Sequence, residues 1–225
     1  MKIIGVIRSI GERTEDFSKY LLKKQVNDIF LVKNIKPIKN MTIECLKIGI
    51  NSGADYMITC DSDVFILPGV VDKMVNISKK NDRLLITGHT MSKFFNKKLG
   101  GIRIWDCSKL KPAMDLLLST DDFNKYRPEA FIHKNFNGLL IDDITSYHEY
   151  EQYYHHIYDK FINQSYKDKN ISNIVTKFIN ETDIDFKVAY RGFFDEEKDF
   201  KKSFPNLIEK NKIDIKELEK KYLKS

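Results

Sequence analysis

Cysteine is scarce in this chain of 225 residues, and the three present, Cys45, Cys60 and Cys107, are odd in number, far apart and in no CxxC spacing. That pattern argues for reduced, mostly buried thiols and a cytoplasmic setting. Long apolar runs are missing too. None approaches the roughly 20 residues that a membrane-spanning helix needs. Near the start, Arg8 interrupts the apolar run 3–7 too early for the core of a signal peptide, so any membrane contact is expected to be peripheral. Neither sign of charge dominates: 38 basic against 32 acidic residues give a net charge of +6 and a pI near 9.0. So small and dispersed an excess does not call for nucleic acid, and it suits anionic substrates or an acidic membrane surface at least as well. Repeats and long low-complexity tracts are absent. What is there is a globular balance, 42% hydrophobic and 31% charged, in a length that fits one large domain or a domain with a small appendage.

The first half alternates strand and helix patterns. Residues 2–7, 28–32, 56–60 and 84–87 read as short apolar strands. Residues 15–26, 42–51 and 69–79 carry helical spacing, with Phe17, Tyr20 and Leu21, then Ile43, Leu46 and Ile50, facing the core. Such alternation predicts an α/β domain with a mainly parallel sheet covered by helices on both faces. Ligands of such sheets bind beyond the carboxyl ends of the strands, where Arg8 and Ser9 and the pair Asp61 and Asp63 all fall. Farther along, 100–105 reads as a strand, 108–118 as a helix capped by Ser108, and 121–143 as surface loops with one or two short strands. An aromatic stripe, Tyr147, Tyr150, Tyr154, Ile157, Tyr158 and Phe161, predicts a helix over 147–161, and its rings suit a helix core or a sugar platform. Beyond about residue 163 the composition turns to Lys, Asn, Asp and Ile. Helices are expected near 171–180 and 213–223 and a strand near 186–190. The domain reading is 1–162 as the α/β domain and 163–225 as a mostly helical extension.

Chemistry concentrates at the end of the third strand. The run Tyr56-Met57-Ile58-Thr59-Cys60 leads into Asp61-Ser62-Asp63 and then Val64-Phe65-Ile66-Leu67-Pro68-Gly69. Burying carboxylates without partners is costly, so acids at the end of a core strand face a cation or a polar cleft. Hard oxygen ligands suit Mg²⁺ or Mn²⁺ shared with substrate phosphates. A tight turn of solvated acids is the plain alternative.

The segment 53–64 followed by Pro68 and Gly69, together with the order of elements up to about Trp105, resembles the DxD region of family-2-like glycosyltransferases of the GT-A fold. The turn 7–14 and the later His148-Glu149-Tyr150-Glu151-Gln152-Tyr153-Tyr154 resemble further segments of a subset of them. The likeness spans roughly the first 160 residues. It implies transfer of a sugar from a nucleoside diphosphate donor, a UDP- or GDP-sugar, with a divalent metal on the acidic pair. Asp61 would then face ribose or metal and Asp63 the metal, with Ser62 between them. Arg8, Ser9 and Arg13 would lie beside the nucleotide, and His148 would supply a further metal ligand. The turn after the second strand departs from the family pattern, so the resemblance does not fix the base.

An inverting transfer also needs a carboxylate base, for which Glu129 and Asp142 are the candidates; either also reads as an ordinary loop acid. The resemblance implies a glycan or lipid-linked saccharide as acceptor, and the amphipathic 213–223 is expected to offer either a solvated helix face or a peripheral contact with anionic lipid. His148 and Glu149 do not make a zinc-protease motif, because Gln152 stands where the second histidine belongs. Three other readings compete: a nucleotidyltransferase making sugar nucleotides, a haloacid-dehalogenase phosphatase, and a non-catalytic sugar-nucleotide binder. The nucleotidyltransferase usually opens with a Gly-rich phosphate loop, whereas Ser9-Ile10-Gly11-Glu12-Arg13 has one glycine. The phosphatase carries its Asp-x-Asp on the first strand, not the third.

Overall fold

The first strand, β1 (Ile3–Ser9), is buried at all seven positions, as a strand flanked by others and covered on both faces must be. It pairs in parallel with β2 (Asp28–Lys33) on one side and β3 (Tyr56–Asp61) on the other. β2 lies at the edge, and its residues alternate in exposure until Val32. The computed structural model describes residues 1–120, 127–167, 171–196 and 198–223, and within these the side chains of 97–99, 166 and 167 lie outside the description. The first six residues of the stretch read as loops at 121–143 fall outside the described residues.

After β3 the sheet changes character. β4 (Val64–Ile66), β5 (Leu85–Ser92), β6 (Asn96–Asp106) and β7 (Leu139–His148) complete a seven-stranded sheet of order β2-β1-β3-β6-β5-β7-β4. β6 runs antiparallel to both β3 and β5, β5 is parallel to β7, and β4 is antiparallel to β7. The parallel βαβ part is thus the β2-β1-β3 portion, and a mixed portion extends it. Alternation along β1 assigns the faces. Ile4 and Val6 join a core with Met41, Cys45 and Leu46 of α2 (Ile38–Asn51), Leu110, Ala113 and Leu117 of α4 (Leu110–Ser119), and Ile132 of α5 (Pro128–Asn135). Gly5 faces the other way, where an added Cβ would stand 2.5 Å from Leu22 of α1 (Glu15–Lys23). Gln25, just past α1, donates to the Leu67 carbonyl and accepts from the N–H of Val71 in the first turn of α3 (Val70–Asn81), so those two helices share that face.

The chain divides into two compact units, Met1–Tyr150 with Asp214–Ser225, and Glu151–Ile213. Residue 162, expected as the boundary, falls inside α6 (Tyr154–Lys167). In the second unit α6 packs on α8 (Ile184–Phe194), with α7 (Ser172–Val175) and α9 (Phe200–Ser203) beside them. Gly192 of α8 lies so close to α6 that a Cβ would be 2.5 Å from the Tyr158 carbonyl oxygen. The ring chain Phe161, Phe178, Phe186 continues this core, and Lys210 pairs with buried Asp185 at 2.5 Å.

Three element expectations are corrected. Within the stretch read as loops, 128–135 is the helix α5, with Pro128 in its first turn. Residues 186–190 are helical because the Asp183 side chain caps α8, and Val188, Ala189 and Gly192 share one buried helical face. The aromatic stripe is not one helix. Tyr147 and His148 end β7, Glu149 and Glu151 adopt left-handed φ of 72° and 59°, and the helix begins only at Tyr154. The last helix, α10 (Ile215–Leu223), returns to the first unit. There Leu218 is buried, Tyr222 packs its ring against Phe65, Tyr147 and Tyr150, and Glu219 accepts from Tyr20 and Lys24. Its apolar stripe is therefore spent on the protein's own core, which removes the face expected to meet lipid. Among the described residues, no helix is long and apolar enough to cross a membrane.

Candidate active site

β3 ends in a turn that its neighbours pin from below. The Ser62 N–H donates to the Arg8 carbonyl at 2.9 Å, and the Ser62 carbonyl accepts from the Thr14 and Ser18 hydroxyls at 2.8 Å each. Register sets Arg8 beside Asp61. The Arg8 Nε stands 2.8 Å from Asp61 Oδ1 yet out of hydrogen-bond alignment, so the contact is an ion pair and not a directed bond. Its Nη1 pairs closely with Glu129 in the first turn of α5. Arg8 is 4% and Glu129 2% exposed, so the guanidinium is a buried bridge between two acids. Burial opposes the charged guanidinium, but Asp61 outweighs it and holds Arg8 above its ordinary value.

Asp63, beyond the turn, meets a residue far away in sequence. The His148 Nε2 lies 3.0 Å from Asp63 Oδ2, and its Nδ1 lies 3.7 Å from Glu149 Oε1. Topology brings them together: β4 starts at Val64, which pairs with His148 at the end of β7. Behind the imidazole, Glu149 is buried and takes a close hydrogen bond from Ser92 at the end of β5, and its N–H donates to the Asp63 carbonyl at 3.3 Å. Sequence reasoning missed both Glu149 and Ser92. Glu149 carried the pattern of a helix residue, and nothing local marks Ser92.

The remaining expected residues fall in distinct places. Ser9 is buried, its hydroxyl within reach of both Glu12 and Glu15, and Ser62 donates to Glu12. Glu12 also accepts from the Ile10 N–H at 2.8 Å, so the turn after β1 is filled by the protein's own carboxylates. Burial works against ionised Glu15, but Lys33 and Ser9 prevail and hold it below the usual carboxylate range. Arg13 lies half-buried in the same turn. Asp142 sits 92% exposed on β7, six residues before His148. At about 3.3 Å per strand residue that is roughly 20 Å from the acidic turn, so the structure separates it from the other candidates. Glu129 is buried, with Oε1 paired to Arg8 and Oε2 without a hydrogen-bond partner. The contact it makes holds Arg8.

Asp63 and His148 offer one carboxylate oxygen and one imidazole nitrogen, a donor set that suits Mn²⁺ or Mg²⁺ with phosphate and water completing the shell. Asp61, drawn toward Arg8, does not join them, and among the described residues no group of three or more His, Cys, Asp or Glu is arranged to hold a metal ion. The nearby thiols add nothing. Burial pushes Cys60 up to about 12 and Cys45 up to about 11, leaving both protonated at neutral pH. A recess of about 770 Å³ opens at the opposite end of β3, by Gly53, Asp55, Tyr56, Asp106 and Cys107. None of the acidic-turn residues lines it, and converging charge is better evidence of chemistry than hollow size.

No protein-family model matches the chain, and no curated protein does. Among solved structures it is similar to A197 from STIV, at 11% identity and a TM-score of 0.51, covering 67% of this chain and 87% of that one. It also aligns with a glycosyltransferase involved in glycosylation of the major capsid of PBCV-1, at 13% identity, 67% and 94% coverage and a TM-score of 0.45. S. aureus TarS aligns at 10% identity over 92% of this chain and 74% of that one, with a TM-score of 0.45. The parallel β2-β1-β3 portion, the antiparallel return of β6 and the acidic turn after β3 together make this a GT-A-like α/β fold.

Proposed function

We propose that this protein is a glycosyltransferase that moves a sugar from a nucleoside diphosphate sugar, a UDP- or GDP-sugar, to a saccharide or glycolipid acceptor with the help of a divalent metal. The meeting of Asp63 and His148 at 3.0 Å carries the reading. Two potential ligands far apart in sequence converge at the carboxyl end of a parallel strand, where ligands of such sheets bind. A divalent ion there supplies charge stabilisation for the departing diphosphate. The chain's own residues do the rest. Asp63 and His148 would hold the ion, Glu149 backs the imidazole, and Arg8, fixed by Glu129, orients Asp61 toward the ribose. Three free cysteines suit a reducing, cytoplasmic setting. A nucleotidyltransferase reading is disfavoured by the turn after β1. Its Ser9 and Ile10 donors are engaged by Glu12 and Glu15 and are not presented to a triphosphate.

The test is a thermal-shift panel of UDP-, GDP-, CMP- and dTDP-sugars with and without Mn²⁺. A ligand at 100 times its dissociation constant stabilises by about 2.7 kcal/mol. Mn²⁺ is expected to enlarge the shift with at least one donor, and that enlargement is lost in Asp63→Ala and in His148→Ala. A shift indifferent to metal and to both substitutions would sink the proposal.

A further inference from the structure

Across β6 from the acidic turn lies a guanidinium short of counter-charge. Arg103 pairs in register with Thr59 of β3 and Thr87 of β5, so it stands on the same sheet face as Asp61 and Arg8. Its side chain is 12% exposed. Among the described residues its ion-pair partner is Glu129, 4.0 Å from Nη1 and already taken by Arg8. Beneath it, the Trp105 N–H donates to the Thr59 hydroxyl at 2.9 Å. The backbone is shaped around this side chain. Gly100, at φ 93°, lies under it, and a Cβ there would stand 3.1 Å from Arg103 Nη2.

Arg127, exposed at the start of α5, adds a third positive charge to the field. Three guanidinium groups, Arg8, Arg103 and Arg127, thus face two carboxylates, Asp61 and Glu129. Burial first, then Arg8 and Arg127, push Arg103 down to about 9, against the opposing pull of Asp61. Arginine keeps its proton at neutral pH all the same, so Arg103 stays a largely buried cation beside a carboxylate that Arg8 already holds. Access to the group is open at the rim, where Arg127 is exposed and Asp61 is 33% exposed.

We propose that Arg103 and Arg127, with Arg8 behind them, form a metal-independent subsite for a phosphoryl oxyanion, either the diphosphate of a nucleotide or free pyrophosphate. Planar guanidinium groups are suited to phosphate by their paired N–H donors, and an arriving anion supplies the charge that the buried cluster lacks. The subsite rests on this charge imbalance and not on the Asp63–His148 metal reading.

The experiment is titration calorimetry of the full chain in EDTA with pyrophosphate, UDP and uridine. Wild type is expected to bind pyrophosphate and UDP but uridine at least tenfold more weakly. Arg103→Gln should weaken both anions at least tenfold, and Arg127→Gln about threefold. Arg127 is exposed, so its variant keeps the test decisive if Arg103→Gln fails to fold. Loss of pyrophosphate binding together with retained UDP binding in wild type would assign the nucleotide as the source, and the reverse would assign the free anion. Every titration is run in EDTA, so failure of the metal-dependent transfer reading and failure of this one are told apart. Absence of anion binding in EDTA, or equal binding by wild type and both arginine variants, overturns the proposal.

Discussion

Removing Glu129 tests whether the buried Asp61–Arg8–Glu129 chain is what stabilises this end of the sheet. The Glu129→Ala substitution leaves Arg8, at 4% exposure, with Asp61 alone, and strips Arg103 of its nearest carboxylate. Water cannot reach Arg8 to compensate. Breaking a buried pair by deleting one member costs about 3–5 kcal/mol. Set against a total stability of about 5–15 kcal/mol, that is a large fraction, and at about 2–4 °C per kcal/mol for a chain of this size it lowers Tm by roughly 6–20 °C. Urea unfolding followed by fluorescence reads this directly, because the chain's single tryptophan, Trp105, is buried in the core on the same sheet face. Replacing both partners, as Arg8→Met with Glu129→Leu, should recover most of the loss, since an apolar pair removes the desolvation cost on both sides. A loss below about 1 kcal/mol for Glu129→Ala, or a double variant no better than the single one, would refute the bridge as an energetic element.

Tyr222→Ala should cost about 1–3 kcal/mol in urea unfolding, because it empties the site between Phe65, Tyr147 and Tyr150. An unchanged midpoint would mean that α10 is not anchored there. Gly192→Ala drives a Cβ into the Tyr158 backbone oxygen, which cannot rotate away as a side chain can. A loss of about 1–3 kcal/mol is expected, while far-ultraviolet circular dichroism of the folded protein stays the same. Glu15 is held below its ordinary value of 4.5 by Lys33 and Ser9. Its folded form therefore binds a proton less readily than the unfolded chain, and its contribution is complete above about pH 4.5 and is lost as pH falls through the depressed folded value. Stability of Glu15→Gln should accordingly depend less on pH below 4.5 than wild type, and parallel acid limbs would contradict the assignment.

Much of the site was legible because its signals are local. An apolar strand ending in Asp61-Ser62-Asp63 is recognisable wherever it occurs, and the carboxyl end of that strand is a shared position in α/β sheets. Arg8 was legible for the same reason, at the end of β1. What it holds was not. Glu129 reads as a loop acid after Arg127-Pro128, and only the packing of α5 against the sheet turns it inward onto Arg8. Arg103 was passed over because one arginine in a strand carries no pattern. Its significance lies in the three-dimensional count of neighbouring charge.

Sequence alone determined the alternation of strand and helix through Trp105, because side-chain periodicity follows from which face meets water. It determined the acidic turn as well. Tertiary structure decided the sheet order, which sends β6 back antiparallel between β3 and β5 and lays β4 along the end of β7. It decided that Tyr147 and His148 finish a strand although their aromatic spacing continues into a helix, since the left-handed turns at Glu149 and Glu151 are set by where β7 must pair. Only the folded chain could place His148 on Asp63 and fill the Phe65 site with Tyr222. Contacts across such sequence separations repay loop closure through burial and charge pairing, and neither leaves a periodic mark on the residues that make them.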